Sequence, residues 1–204
     1  MNRVAAAALF SGVLLGCGGL PPQGAPAPEG VPESSRPVPP GFGTLMQDQI
    51  TLRIQQGDLL IKVTPLEEWV IRLTAPDTYA RLQGMVRTHG ERAARSAMDP
   101  SSSLFLVSFF SYQPNVTYQP EDLELANRGL RYRPKGIAPV TPSWGLQRLG
   151  QQETQMAVYA FEGIIDLETD LVVEYQGLRN EIWSSQIVPL LQAEATKVRA
   201  RAGG

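Results

Sequence analysis

The sequence predicts a mainly β fold with helical additions: an antiparallel sandwich, preceded by a hairpin and two short helices and followed by a C-terminal helix. Two patterns predict it. Between residues 103 and 176, short apolar or alternating runs recur with turn residues between them, as in a sandwich of antiparallel strands. Apolar residues spaced by three and four occur only before and after that stretch, from Leu66 to Ala93 and from Ser185 to Arg201, which is helical periodicity.

Taken in order, Gln49–Ile54 alternates, with Ile50, Leu52 and Ile54 on one side, and reads as a half-buried strand. Gln56-Gly57-Asp58 is a turn and Leu59–Val63 a second strand, making a hairpin. Thr64-Pro65-Leu66-Glu67 fits a capping box, with Thr64 at the N-cap and Glu67 three residues on. Leu66, Trp69, Val70 and Leu73 supply the face of the short helix that follows. Asp77 caps a second helix, whose apolar face is Tyr79, Leu82, Val86, His89 and Ala93 and whose outer face carries Arg81, Arg87, Arg92 and Arg95.

Leu104–Ser111 is apolar and aromatic throughout, as a central strand is. Leu123 and Leu125 mark another strand. Gly129–Arg133 gives a short one, with Arg131 and Arg133 on the opposite side from Tyr132. Pro134 to Trp144 reads as a Pro-rich loop. Thr154–Phe161 and Asp170–Tyr175 are the clearest later strands, and Pro189 is compatible with the first turn of the C-terminal helix.

The series across 103–176 resembles the immunoglobulin-like modules of secreted and lipid-anchored bacterial proteins. It runs from the aromatic strand through Pro120–Leu125 and Gly129–Pro134, then Gly150–Gln155 leading into Thr154–Phe161, and ends at Asp170–Tyr175. The resemblance implies a two-sheet sandwich. The chain departs from it in having no pair of cysteines around a core Trp.

The N-terminus carries a different signal. Met1-Asn2-Arg3 is followed by the 13 small or apolar residues Val4–Gly16, the pattern of an export signal. Thirteen residues fall short of the roughly 20 that a spanning helix needs. Leu14-Leu15-Gly16-Cys17 resembles the lipobox of bacterial lipoproteins. That resemblance implies cleavage before Cys17, a diacylglycerol on the Cys17 thiol, and an acylated amino group. Multiple acyl chains hold a protein to a bilayer where one does so only marginally. Gly18 stands where the family's inner-membrane proteins carry Asp, which points to the outer membrane. The expected division is then a signal peptide over 1–16, a lipidated and disordered Pro-rich tether over 17–43, and a globular domain over 44–204. Within that domain lie the hairpin and helices (44–100), the sandwich (103–176) and the C-terminal helix (185–201).

Cleavage leaves 188 of the 204 residues and removes Arg3, taking the formal charge from −2 to −3. A slightly acidic chain has no electrostatic footprint for nucleic acid, and no run of basic residues forms a polybasic lipid anchor. Cys17 is the sole cysteine, so no disulfide forms within the chain.

Candidate sites are few. His89, the single histidine, lies on an apolar helix face, where a structural role is expected. Ser101-Ser102-Ser103 follows Asp99-Pro100 as a loop and lacks a nucleophile elbow. Glu162, Asp166, Glu168, Asp170 and Glu174 gather in one stretch; Asp166, Glu168 and Asp170 are a candidate for calcium, although they do not match the calcium-loop pattern. Arg128, Arg131, Arg133 and Lys135 make a basic edge around Tyr132. Such charges block unwanted strand pairing or meet an acidic partner. Trp144, between Pro142 and Gly145, is either a contact anchor or a cap on the core. Trp144, Tyr132, Arg131 and Arg133 are thus the candidate partner contacts. No catalytic set and no cofactor motif stand out. The chain reads as a non-catalytic envelope lipoprotein that binds an envelope protein, with a glycan- or lipid-binding module as the alternative and a hydrolase behind both.

Overall fold

The computed structural model describes residues 38–203. The expected signal segment, Cys17 and the Pro-rich stretch as far as residue 37 lie outside the described residues.

The first hairpin begins later than its periodicity suggests. Gln47–Ile50 is a 3-10 turn, and β1 is Leu52–Gln56. Gly57 turns the chain at φ +57, a conformation that glycine adopts without strain. The chain returns as β2, Leu59–Pro65. The expected capping box is not formed. Thr64 and Pro65 stay in β2, where the Thr64 hydroxyl is 2.7 Å from that of Thr51 and Pro65 lies opposite Phe105. Tertiary pairing overrides the local signal, and α1 is the single turn Glu68–Ile71.

The next helices are α2 (Pro76–Met85) and α3 (Glu91–Ala97), joined through a π-helical turn at Val86–Gly90. Asp77 lies in the first turn of α2, not at its cap, which is Ala75. Met98 stops α3 in the left-handed region, at φ 56.

The strands that follow are β3 (Ser103–Ser111), β4 (Val116–Thr117), β5 (Leu123–Asn127), β6 (Leu130–Tyr132) and β7 (Pro134–Pro139). After them come β8 (Arg148–Leu149), β9 (Thr154–Phe161), β10 (Val172–Tyr175) and β11 (Leu178–Asn180). The stretch expected to be a Pro-rich loop therefore begins as a strand. Its prolines sit at the two ends of β7, and β7 is an edge strand, where a missing N–H is tolerated. A π-helical turn at Trp183–Ile187 leads into α4, Val188–Ala202.

All the strand pairs are antiparallel. One sheet has the order β1-β2-β3-β9-β7, the other β11-β10-β5-β6, and β4 pairs with β8 separately. Alternation sets their faces. Phe105, Val107 and Phe109 of β3 share a buried face with Tyr159, Ala157 and Gln155 of β9. Phe109 meets Tyr175 of β10 at 6.0 Å between ring centroids, so the core lies between the two sheets.

The outer face of the five-stranded sheet is covered by helix. A Cβ on Gly136 of β7 would stand 2.0 Å from the Ala93 carbonyl of α3, and one on Gly90 would stand 2.8 Å from a Leu104 methyl. The order of layers is therefore helices, five-stranded sheet, four-stranded sheet. The outer face of the last is open: Arg131 is 62% exposed there.

Packing begins upstream of the domain start expected at residue 44. Pro39 is buried. The Gly43 N–H donates to the Arg72 carbonyl at 3.0 Å. Phe42 lies 5.0 Å from the Tyr79 ring, with the Arg72 guanidinium over both. The buried carboxylate of Glu194 on α4 accepts hydrogen bonds from the Thr44 N–H and hydroxyl, each at 2.9 Å. Among the described residues, no helix is long and apolar enough to cross a membrane.

Candidate functional site

The sequence-level contact set does not assemble into one surface. Trp144 is only 6% exposed. Its ring meets Phe109 at 5.7 Å, Tyr118 at 5.5 Å and Tyr159 at 6.1 Å, so it closes the aromatic core and is not an exposed anchor. Tyr132 lies opposite Leu125, on the inward side of the four-stranded sheet, and packs against the core. Arg131 and Arg133 point the other way.

That outward side is organised by charge. Glu124 of β5 and Glu174 of β10 are direct cross-strand neighbours, a like-charge pairing that is unfavourable by itself. Arg131 lies 3.1 Å from Glu124 and 3.3 Å from Glu174, while Arg133 holds Glu124 at 2.7 Å and Arg179 holds Glu174 at 3.5 Å. The two carboxylates are mostly covered, and the guanidinium groups stand outermost, Arg133 at 77% exposure. Arg131 and Arg133 border a polar cleft of about 450 Å³, whose other walls include Glu121, Asp122 and Gln176. The remaining basic-edge residues are paired as well, Arg128 with Asp166 and Lys135 with Glu162 at 3.9 Å.

The acidic stretch does not form the calcium candidate. Asp166 takes the Arg128 guanidinium and the Glu168 N–H, and Asp170 accepts the Arg128 N–H. Among the described residues, no three carboxylate, His or Cys side chains converge as a metal site. Asn127 instead ties the loop together, its amide donating to the carbonyls of Asp166 and Asp170.

The serine run and His89 make local hydrogen bonds. The Ser102 and Ser103 hydroxyls donate to the carbonyls of Asp99 and Gly163, at 2.7 and 3.0 Å. Asp99 accepts the N–H groups of Ser101 and Gly163, and these hold its carboxyl below the usual carboxylate range. His89 is half-buried, with Nδ1 2.9 Å from the Arg92 guanidinium; burial and that cation both lower its pKa.

One feature was missed at the sequence level. Val86, Gly90, Ala94 and Met98, each four residues apart, line an apolar cleft of about 500 Å³ together with Pro100 and Leu104. Met98 is 91% exposed at its end. The four-residue spacing is visible in the sequence, but small residues such as Gly90 and Ala94 carry no apolar signal of their own.

Comparison with known proteins finds no matching family, no matching curated protein and no matching solved structure.

Proposed function

We propose that this chain is a lipid-anchored protein of the bacterial cell envelope, more specifically of the outer membrane, whose domain is a non-catalytic, immunoglobulin-like module that binds another protein. The observation that carries the anchor is Leu14-Leu15-Gly16-Cys17 at the end of a 13-residue apolar run behind a basic start.

Strand order supports the immunoglobulin-like reading. Immunoglobulin sandwiches place strands A, B, E and D in one sheet and G, F and C in the other, with C′ added beside C in variable types. Here β2-β3-β9-β7 takes the first order and β11-β10-β5-β6 the second, with β1 as an extra edge strand. The B and F positions fall to β3 and β10. Antibody domains pin those strands together with a disulfide; in this chain Phe109 and Tyr175 touch across them.

The open face of the four-stranded sheet supports protein binding. Exposed Arg131, Arg133 and Arg179 lie over two acids that are already partnered, so an acidic partner surface would gain cations without leaving a buried carboxylate bare. The apolar cleft favours the second reading, a lipid-binding module, because about 500 Å³ falls within the range of small-molecule sites.

Palmitate labelling in cells tests the anchor. The wild type is expected to take up label and Cys17→Ser to lose it. An unlabelled wild type, or label that survives in the variant, contradicts the proposal.

A further inference from the structure

We propose that the helical layer formed by α2 and α3 is a membrane-facing surface that rests on anionic phospholipid, with Met98 and its apolar cleft meeting the lipid. The proposal rests on the lipid-anchor reading and adds an orientation to it.

Charge is the first support. Arg81, Arg87, Arg92 and Arg95 are all exposed on this run, against the two acids Asp77 and Glu91. The run is therefore positive in a chain whose formal charge is −2. Elsewhere the exposed arginines mostly hold carboxylates, as Arg53 does with Asp48 and Arg131 with Glu124. Among the described residues, Arg81 and Arg87 make no ion pair, Arg92 donates to the Pro139 carbonyl and His89, and Arg95 reaches Glu91 only at 3.9 Å. Arg81 lies on α2, Arg87 in the π-helical turn and Arg92 and Arg95 on α3, so all four belong to the helical layer.

The apolar component is the second support. The cleft opens on α3, and Met98, held in a left-handed conformation, stands in solvent beside it. Glu91 and Asp99 also line the cleft; Glu91 faces Arg95 of the same cleft at 3.9 Å, and the Asp99 carboxylate oxygens are occupied by backbone N–H groups. A basic helical surface beside an apolar one is the combination that suits the headgroup region of a bilayer.

Connectivity is the third. Phe42 packs on Tyr79 of α2, so the described chain starts beside this layer. Twenty-one residues, Cys17 to 37, can reach no farther than about 75 Å, at no more than about 3.6 Å per residue for any chain. Held that close, even weak contacts are repeatedly sampled. The order of layers then turns the open face of the four-stranded sheet away from the membrane, toward partners.

The test uses the full lipidated chain carrying Met98→Cys. Its new thiol is the only free one, since lipid occupies Cys17, and it takes an environment-sensitive dye. Vesicles are phosphatidylcholine alone or an equal mixture with phosphatidylglycerol. Flotation with both confirms the anchor. The proposal predicts dehydration of the dye on the mixed vesicles only. It also predicts that the dye stays in water when it is moved to Glu121→Cys on the opposite face. Adding Arg81→Gln and Arg87→Gln is expected to lower dye partition about 25-fold, about fivefold for each positive charge removed. A chain that floats while the Met98→Cys dye stays in water on mixed vesicles overturns the orientation, spares the anchor and leaves the face to a protein partner. Equal dehydration on both vesicle types overturns the recognition of anionic lipid. Failure to float overturns the anchor and the orientation with it.

Discussion

Glu194 shows how one side chain joins distant parts of the chain. It is 1% exposed, and its carboxylate accepts the Thr44 N–H and hydroxyl and approaches Lys197 at 3.3 Å. Burial pushes this carboxyl up, but the hydrogen bonds from Thr44 and Lys197 outweigh burial and hold it below its ordinary value of 4.5. A carboxylate with a depressed folded-state pKa stabilises the fold fully above the unfolded value, and that contribution is lost as pH falls through the folded value. Glu194→Ala leaves the Thr44 donors without their acceptor and is expected to cost about 1–3 kcal/mol in urea denaturation at neutral pH. The difference from wild type should begin to shrink as pH falls below about 4.5 and be lost once pH passes the lower folded-state value, where the wild-type carboxylate is itself neutralised. A difference independent of pH would mean that packing, not the charge, holds Thr44.

Contact between α3 and β7 decides how closely the helical layer sits on the sheet. At Gly136 a Cβ would meet the Ala93 carbonyl at 2.0 Å, whereas at Gly84 in α2 it would meet nothing within 4 Å. Gly136→Ala should therefore destabilise by about 1–3 kcal/mol through overpacking. Gly84→Ala should stabilise by up to about 1 kcal/mol through helix propensity. Thermal or urea unfolding of the two variants checks both signs. The same elements show what sequence patterns carry. Strands with strong alternation or aromatic content, β3 and β9 above all, were legible, because burial on a face leaves its period in the residues. β7 was not: Pro134 and Pro139 signal a loop, and only pairing with β9 on one side makes the stretch a strand. The capping box at Thr64 and Glu67 was local and sound, yet it yielded to the β2–β3 ladder. Of the candidate contacts, the outward arginines were legible from alternation alone. Whether Trp144 closed the core or stood outside depended on Phe109, Tyr118 and Tyr159, which come from three other segments.

With helices on one side and an open charged sheet on the other, the molecule has two unlike faces. Its interior is held by aromatic contacts, Phe109 stacking on Tyr118 and meeting Tyr175 of the opposite sheet. The proposed use of the lone cysteine is as a lipid anchor. Both the binding proposal and the membrane-facing orientation depend on that use, so the intact mass of the protein extracted from membranes is the direct check. The account predicts the 188-residue chain beginning at Cys17, heavier by a diacylglycerol and an amide-linked acyl group. A mass corresponding to all 204 residues, or to a chain cut elsewhere with Cys17 unmodified, would contradict it.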